Sequence, residues 1–118
     1  MLRDPLAFLW NVKDCALAIR EFTAQKTSED CLADRLLRAA VERQFGIIGE
    51  ALNQLSRIAP EVVQQIPRHT EAIALRNVLI HGYGQIRHAE VWRIIHEDLS
   101  PLLDVIDSLP TMLESESP

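Results

Sequence analysis

Long apolar runs, glycine, aromatic residues and cysteine are all scarce in this chain, and each scarcity closes off a class of protein. No apolar run reaches the ~18 residues that a membrane-spanning helix needs. The opening MLRDPLAFLW lacks the apolar core and small-residue cleavage site of a signal peptide. The two cysteines, Cys15 and Cys31, have neither CxxC nor metal-ligand spacing, so reduced thiols in a cytoplasmic protein are expected. No HExxH and no cluster of carboxylates occurs, so neither metal catalysis nor a cofactor is expected. Only 4 glycines and 5% aromatic residues, beside 47% hydrophobic residues, suit a helical bundle better than a sheet. At 118 residues the chain fits one domain with its own core.

Positive charge is also scarce. The formal net charge of −5 argues against a general nucleic-acid binder. The distribution is uneven, however. Between Arg68 and Arg93 stand four arginines and only two acids, Glu71 and Glu90, and the four histidines (69, 81, 88 and 96) fall in or just beyond that window. From Glu97 onward there are six acids and no Lys or Arg. This pattern predicts a locally basic site on an acidic body, suited to a few phosphate contacts.

Periodicity predicts the elements. Asp4-Pro5 reads as an N-cap and first helical residue, and Leu6, Leu9, Val12, Ala16 and Ile19 carry a first helix to about Ala24. Lys26 to Asp30 reads as a polar connection in which Thr27 and Asp30 resemble a capping box. A long second helix follows with Leu37, Val41, Phe45, Ile48, Leu52 and Leu55 on one stripe, bounded by Pro60. Gly46 and Gly49 weaken it intrinsically and are expected to admit a neighbouring helix, as in a dimer contact. The stretch 60–67 is a connector with one turn. A third helix starts near Arg68 to Thr70. A fourth starts near His88 with Val91, Ile95, Leu99, Leu102 and Ile106 on one side, and Ser100-Pro101 either kinks or restarts it. The tail 110–118 is expected to fray. The fold class is therefore all-α: an up-and-down bundle of four to five helices in a single domain.

The third helix organises the rest. From Ala72 to Ile80 every residue is apolar except Arg76 and Asn77, so a helix surrounded by others is expected, with a guanidinium that must find a carboxylate, a ligand or water. Arg76 and His81 are five apart, which on an ideal helix turns them about 140° from one another. Gly82 is a natural helix stop, so a helix ending near Ile80 or His81 would free His81 to swing toward Arg76, with Tyr83 leaving on the next loop.

Arg76-Asn77, three apolar residues, His81, one residue and Tyr83 resemble the Arg-x4-His-x-Tyr signature of the HepT-like toxins, a branch of the HEPN superfamily of helical ribonucleases. The likeness extends to FGIIGEALNQLS before the motif and VWRIIHEDLSPLLDVI after it, covering about residues 6–109 in the family's order. The resemblance implies an HEPN-like fold and a metal-independent endoribonuclease. It also implies the toxin of a type VII-like toxin–antitoxin pair, working as a homodimer whose two motifs face a shared cleft. The implied partner is a minimal nucleotidyltransferase (MntA-like) antitoxin that attaches AMP to the tyrosine, here Tyr83.

Each candidate has a second, purely structural reading. Arg76 can bind an RNA phosphate and stabilise charge during cleavage, or it can pair with Glu50 or Glu42 on the second helix. Glu50 can also orient Arg76 as a supporting partner. His81 can move the 2′-hydroxyl proton, as histidine side chains do in acid–base catalysis, or it can simply complement the helix dipole. Tyr83, the chain's one tyrosine, can contact RNA or cover the end of the bundle. Asn77 fixes hydrogen bonds around Arg76 or touches substrate. His69, Arg87 and His88 read as solvated surface. His88 and His96 lie about 12 Å apart along their helix, too far to share a metal. Two alternatives stand beside the enzyme: a non-catalytic module that binds nucleotide or docks a nucleotidyltransferase, and a structural dimer.

Overall fold

The computed structural model describes residues 4–81 and 87–115, with side chains as far as residue 109. Among these residues lie seven helices and no strand: α1 (Pro5–Thr23), α2 (Ser28–Ala33), α3 (Arg35–Ile58), α4 (Pro60–Val63), α5 (His69–His81), α6 (His88–Glu97) and α7 (Leu99–Ser115). No helix among the described residues is long and apolar enough to cross a membrane.

The predicted caps form. Asp4 accepts the backbone N–H of Leu6 at 2.9 Å with Pro5 at the first helical position, so α1 begins where the sequence placed it. Thr27 and Asp30 satisfy each other's backbone N–H groups at 2.9 and 3.0 Å. That box opens a helix of its own, α2, so part of the expected polar connection is helical. Asp34 then ends α2 and caps α3 through the N–H of Leu37. The Arg38 guanidinium folds back onto the Cys31 and Leu32 carbonyls, closing the exposed end of α2.

The predicted stripes make the core. Leu9, Val12 and Ile19 of α1, Ile48, Leu52 and Leu55 of α3, Ile66 after α4, and Leu99, Ile106 and Leu109 of α7 are all sealed from solvent. Helix α3 lies centrally and packs most extensively on α1 and α5. The α6–α7 break falls at Asp98, so Pro101 sits in the first turn of α7, where its missing N–H costs nothing. A restart, not a kink, is what Ser100-Pro101 produces.

Helix α5 departs from expectation. It is apolar around most of its circumference, yet none of its residues is fully buried in the single chain. Ala72, Ile73, Leu75 and Leu79 pack partly against the core, while Ile80 stays 57% exposed. The helix is seated by one side on α3 rather than enclosed. Gly49 explains the seat: a Cβ there would lie 2.3 Å from Arg76 Cβ and 2.7 Å from the Ala72 carbonyl oxygen. The close approach foreseen for the glycines is thus made inside the chain, at Gly49 alone. Gly46 has no neighbour within 4 Å of such a Cβ.

Candidate active site

The α3–α5 contact fixes what Arg76 can reach. Because Gly49 lies against Arg76 Cβ, the next residue of α3, Glu50, stands beside the guanidinium. Arg76 Nη2 forms an ion pair with Glu50 Oε2, and Arg76 Nη1 donates to Asn77 Oδ1 at 2.7 Å. Of the two partners the sequence allowed, Glu50 is the one used. Its other oxygen accepts from Gln54 Nε2 at 2.8 Å. Gln54 was not singled out from the sequence, although its position four residues past Glu50 on one helix face would have found it.

The Arg76 side chain is only 21% exposed and Glu50 is 38% exposed. The pair does not saturate either group. Arg76 Nε is buried and makes no hydrogen bond among the described residues, and Glu50 Oε2 meets Arg76 as an ion contact without hydrogen-bond geometry. Both line an open cleft of about 610 Å³ whose walls also carry Glu42, Arg43, Gln54 and Ile80. Each terminal nitrogen of the guanidinium carries a second N–H beyond the contact it makes, so the exposed part of Arg76 at the cleft wall can take up an anion, and an oxyanion such as phosphate matches its fork.

His81 is the last residue of α5 and is exposed. The helix ends at His81, within the bounds the sequence predicted. Arg76 and His81 keep the separation of about 140° around the axis that five helical residues impose. The structure brings Arg76, Asn77, Glu50 and Gln54 together, and His81 stands at the exit of the same helix. The predicted helix stop at Gly82 and the site residue Tyr83 lie outside the described residues.

The basic window is largely neutralised on folding. Arg93 binds Glu90 at 2.7 Å, Glu97 at 2.9 Å and Asp98 at 3.5 Å, and Arg68 lies 3.5 Å from Asp98. Hydrogen bonds from Arg93 hold the Glu90 carboxyl below its usual range, and the same bonds raise the guanidinium's own pKa. Acids from beyond the window, Glu50, Glu97 and Asp98, supply most of these partners, so the sequence interval overstates the positive field. His69 and His88 are not solvated surface either. Each ring faces a backbone carbonyl, of Ile66 at 2.9 Å and of Ser28 at 3.0 Å. Among the described residues, no group of three His, Cys, Asp or Glu side chains is arranged to hold a metal.

The fold class is an all-α bundle, with an arginine held at the wall of an open cleft. The comparisons narrow it. The sequence model of the family described as Ribonuclease HepT-like matches residues 12–109, and the chain belongs to that family. It is 34% identical over 97 residues to a Methanocaldococcus jannaschii protein provisionally named as an RNase, covering 82% of this chain and 88% of that one. It is 30% identical over 113 residues to a Thermococcus cleftensis protein named as a probable ribonuclease HepT, covering 92% of this chain and 98% of that one. No solved structure matches the chain at a significant level.

Proposed function

We propose that this chain is a metal-independent endoribonuclease in which Arg76 holds the scissile phosphate and His81 handles the proton. The observation that carries the reading is the Arg76 guanidinium, anchored by Glu50 and Asn77 yet partly exposed at the wall of the cleft. In the reaction, His81 takes the proton of the 2′-hydroxyl and the 2′-oxygen attacks the adjacent phosphorus. The bond from phosphorus to the 5′-oxygen breaks, that oxygen takes up a proton, and a cyclic phosphate end remains. Arg76 offsets the charge that builds on the phosphoryl oxygens, an effect of about 10²–10³ in rate for one well-placed donor. Proton handling by a histidine contributes about 10²–10⁴.

The turn of about 140° that helical spacing sets between positions 76 and 81 supports a homodimer. Two copies meeting over their half-covered α5 helices would join the arginine of one to the histidine of the other, and would bury Ile80. The RNA substrate then lies in a cleft shared by both copies. We further read the chain as the toxin of a toxin–antitoxin pair acting in the cytoplasm. Its partner would be a minimal nucleotidyltransferase antitoxin that silences it by placing AMP on Tyr83. The buried thiols of Cys15 and Cys31, raised in pKa mainly by burial, are compatible with a reducing compartment.

The test is RNA cleavage in EDTA by protein whose intact mass shows no added AMP. Wild type is expected to cut, and Arg76→Ala and His81→Ala to fall by at least about 10². Mixing the two inactive variants, with subunit exchange, is expected to restore activity, because one site of each mixed dimer then holds both wild-type groups. Folded, unmodified protein that leaves RNA intact would remove the enzyme reading in favour of a binding module. Cleavage that both substitutions leave unchanged would remove the assigned roles.

A further inference from the structure

A second pocket, of about 240 Å³, lies between α2, α3 and α6, and the reaction above uses none of its aromatic wall. Its lining includes Leu32, Arg38, Glu42, His88 and Trp92. The Trp92 indole is half-buried and sits within a row of three rings at four-residue spacing on α6. His96 lies 4.4 Å from it and His88 lies 6.4 Å from it, centre to centre. Two of the pocket's polar groups are already engaged: Arg38 closes the end of α2, and His88 Nε2 faces the Ser28 carbonyl. What the pocket offers a ligand is a flat aromatic wall, an exposed leucine and the Glu42 carboxylate. That combination disfavours a phosphate and suits a flat, uncharged ring bearing N–H donors.

Glu42 also lines the cleft that holds Arg76. It stands two turns before Glu50 on α3, about 12 Å along the helix axis. The two cavities are therefore neighbours that meet at one carboxylate, one with a phosphate-binding arginine and one with an indole. We infer that the α2–α3–α6 pocket takes an unpaired nucleobase of the RNA, stacked on Trp92, while a nearby phosphate of the same strand lies at Arg76. Glu42 would accept an exocyclic N–H of that base, as carboxylates do at base edges. A paired base cannot enter, so the substrate is single-stranded at this position. This inference rests on the ribonuclease reading of the Arg76 cleft.

The chain has two tryptophans, Trp10 and Trp92, so Trp10→Phe leaves Trp92 as its one indole. The probe is a labelled single-stranded 2′-O-methyl oligonucleotide of mixed sequence, which lacks the attacking hydroxyl and is not cut. Its binding, read by anisotropy, is expected to change Trp92 emission. An abasic strand of the same length, or the duplex, should bind without that change. Trp92→Leu should weaken oligonucleotide binding at least about fivefold, and Trp92→Phe, which keeps a ring, should weaken it less. Binding with unchanged emission overturns the inference, as does Trp92→Leu binding as tightly as its parent. Should Trp92→Leu fail to fold, the emission titration decides alone. Cleavage of ordinary RNA in EDTA separates the two readings. Cutting without an emission change removes the base pocket and keeps the nuclease. An emission change without cutting removes the nuclease and keeps the pocket as a base-binding site.

Discussion

Replacing Gly49 by alanine should destabilise the protein, although the same change on an exposed helix surface would help. Alanine gains about 1 kcal/mol of helix propensity over glycine. At this position the new methyl would stand 2.3 Å from Arg76 Cβ and 2.7 Å from the Ala72 carbonyl oxygen. Neither atom is the tip of a flexible chain; both belong to the frame of α5. To reach ordinary contact near 3.4 Å, α5 must retreat from α3 by about 1 Å. Overpacking costs about 1–3 kcal/mol, and a clash with a helix frame falls in the upper part of that range, about 2–3 kcal/mol, so a net loss of about 1–2 kcal/mol is expected. For a chain of this size that lowers Tm by about 4–8 °C. The same retreat carries Arg76 away from Glu50, and a 1 Å misplacement of a reacting group can reduce rate about 10²-fold. Gly46→Ala is the internal control, because no atom lies within 4 Å of its new methyl. It should gain up to about 1 kcal/mol. Thermal unfolding of both variants, followed by RNA cleavage in EDTA, checks the reasoning. If Gly49→Ala melts at or above wild type, the α3–α5 seat is not what the contact distances imply.

Other perturbations test the frame around the site. Leu52→Ala removes a fully buried side chain of α3 and should cost about 2–5 kcal/mol, read from urea midpoints at constant slope. The Asp30 carboxyl is held below its usual 3.8, first by the backbone N–H of Thr27 and then by its hydroxyl. A depressed folded pKa gives stability that is present above 3.8 and is lost as pH falls through the folded value. Asp30→Asn should therefore lower the urea midpoint at pH 7 more than at pH 3, and an equal effect at both would remove the charged cap as its cause. Burial raises both thiols, so Cys15 and Cys31 should react slowly with a thiol reagent at neutral pH and fast once denaturant is added. Fast labelling in the native state would contradict their burial.

Local rules made much of this bundle legible. Asp4-Pro5 and the Thr27/Asp30 box mark helix starts that need only their own side chains, and they appear where the sequence puts them. The stripes of α1, α3, α6 and α7 carry three- and four-residue spacing, and their members form one core. What stayed hidden depends on contacts distant in sequence. Asp34 divides α2 from α3 by serving both as C-cap and as N-cap, which the hydrophobic pattern does not reveal. The pairing of Arg68 and Arg93 with Asp98 needs α6 to end where it does, so a count of charges between two positions misjudged the field. The membership of Arg76 and Glu50 in one site was readable as a possibility. The choice of Glu50 over Glu42 required the register that Gly49 sets.

That register gives α3 its place in the architecture. Its inward stripe, Val41, Phe45, Ile48, Leu52 and Leu55, locks the helix into the core. The residues just off that stripe, Glu42, Gly49, Glu50 and Gln54, meet the cleft and α5. A helix pinned along one side cannot rotate to suit a ligand on the other. The guanidinium of Arg76 is thus positioned by a glycine that sets distance and a carboxylate that sets direction, both carried on the most deeply anchored element of the chain. In the proposed reaction Arg76 would therefore meet the phosphate already aimed, with the entropic cost of ordering it met when the bundle folds.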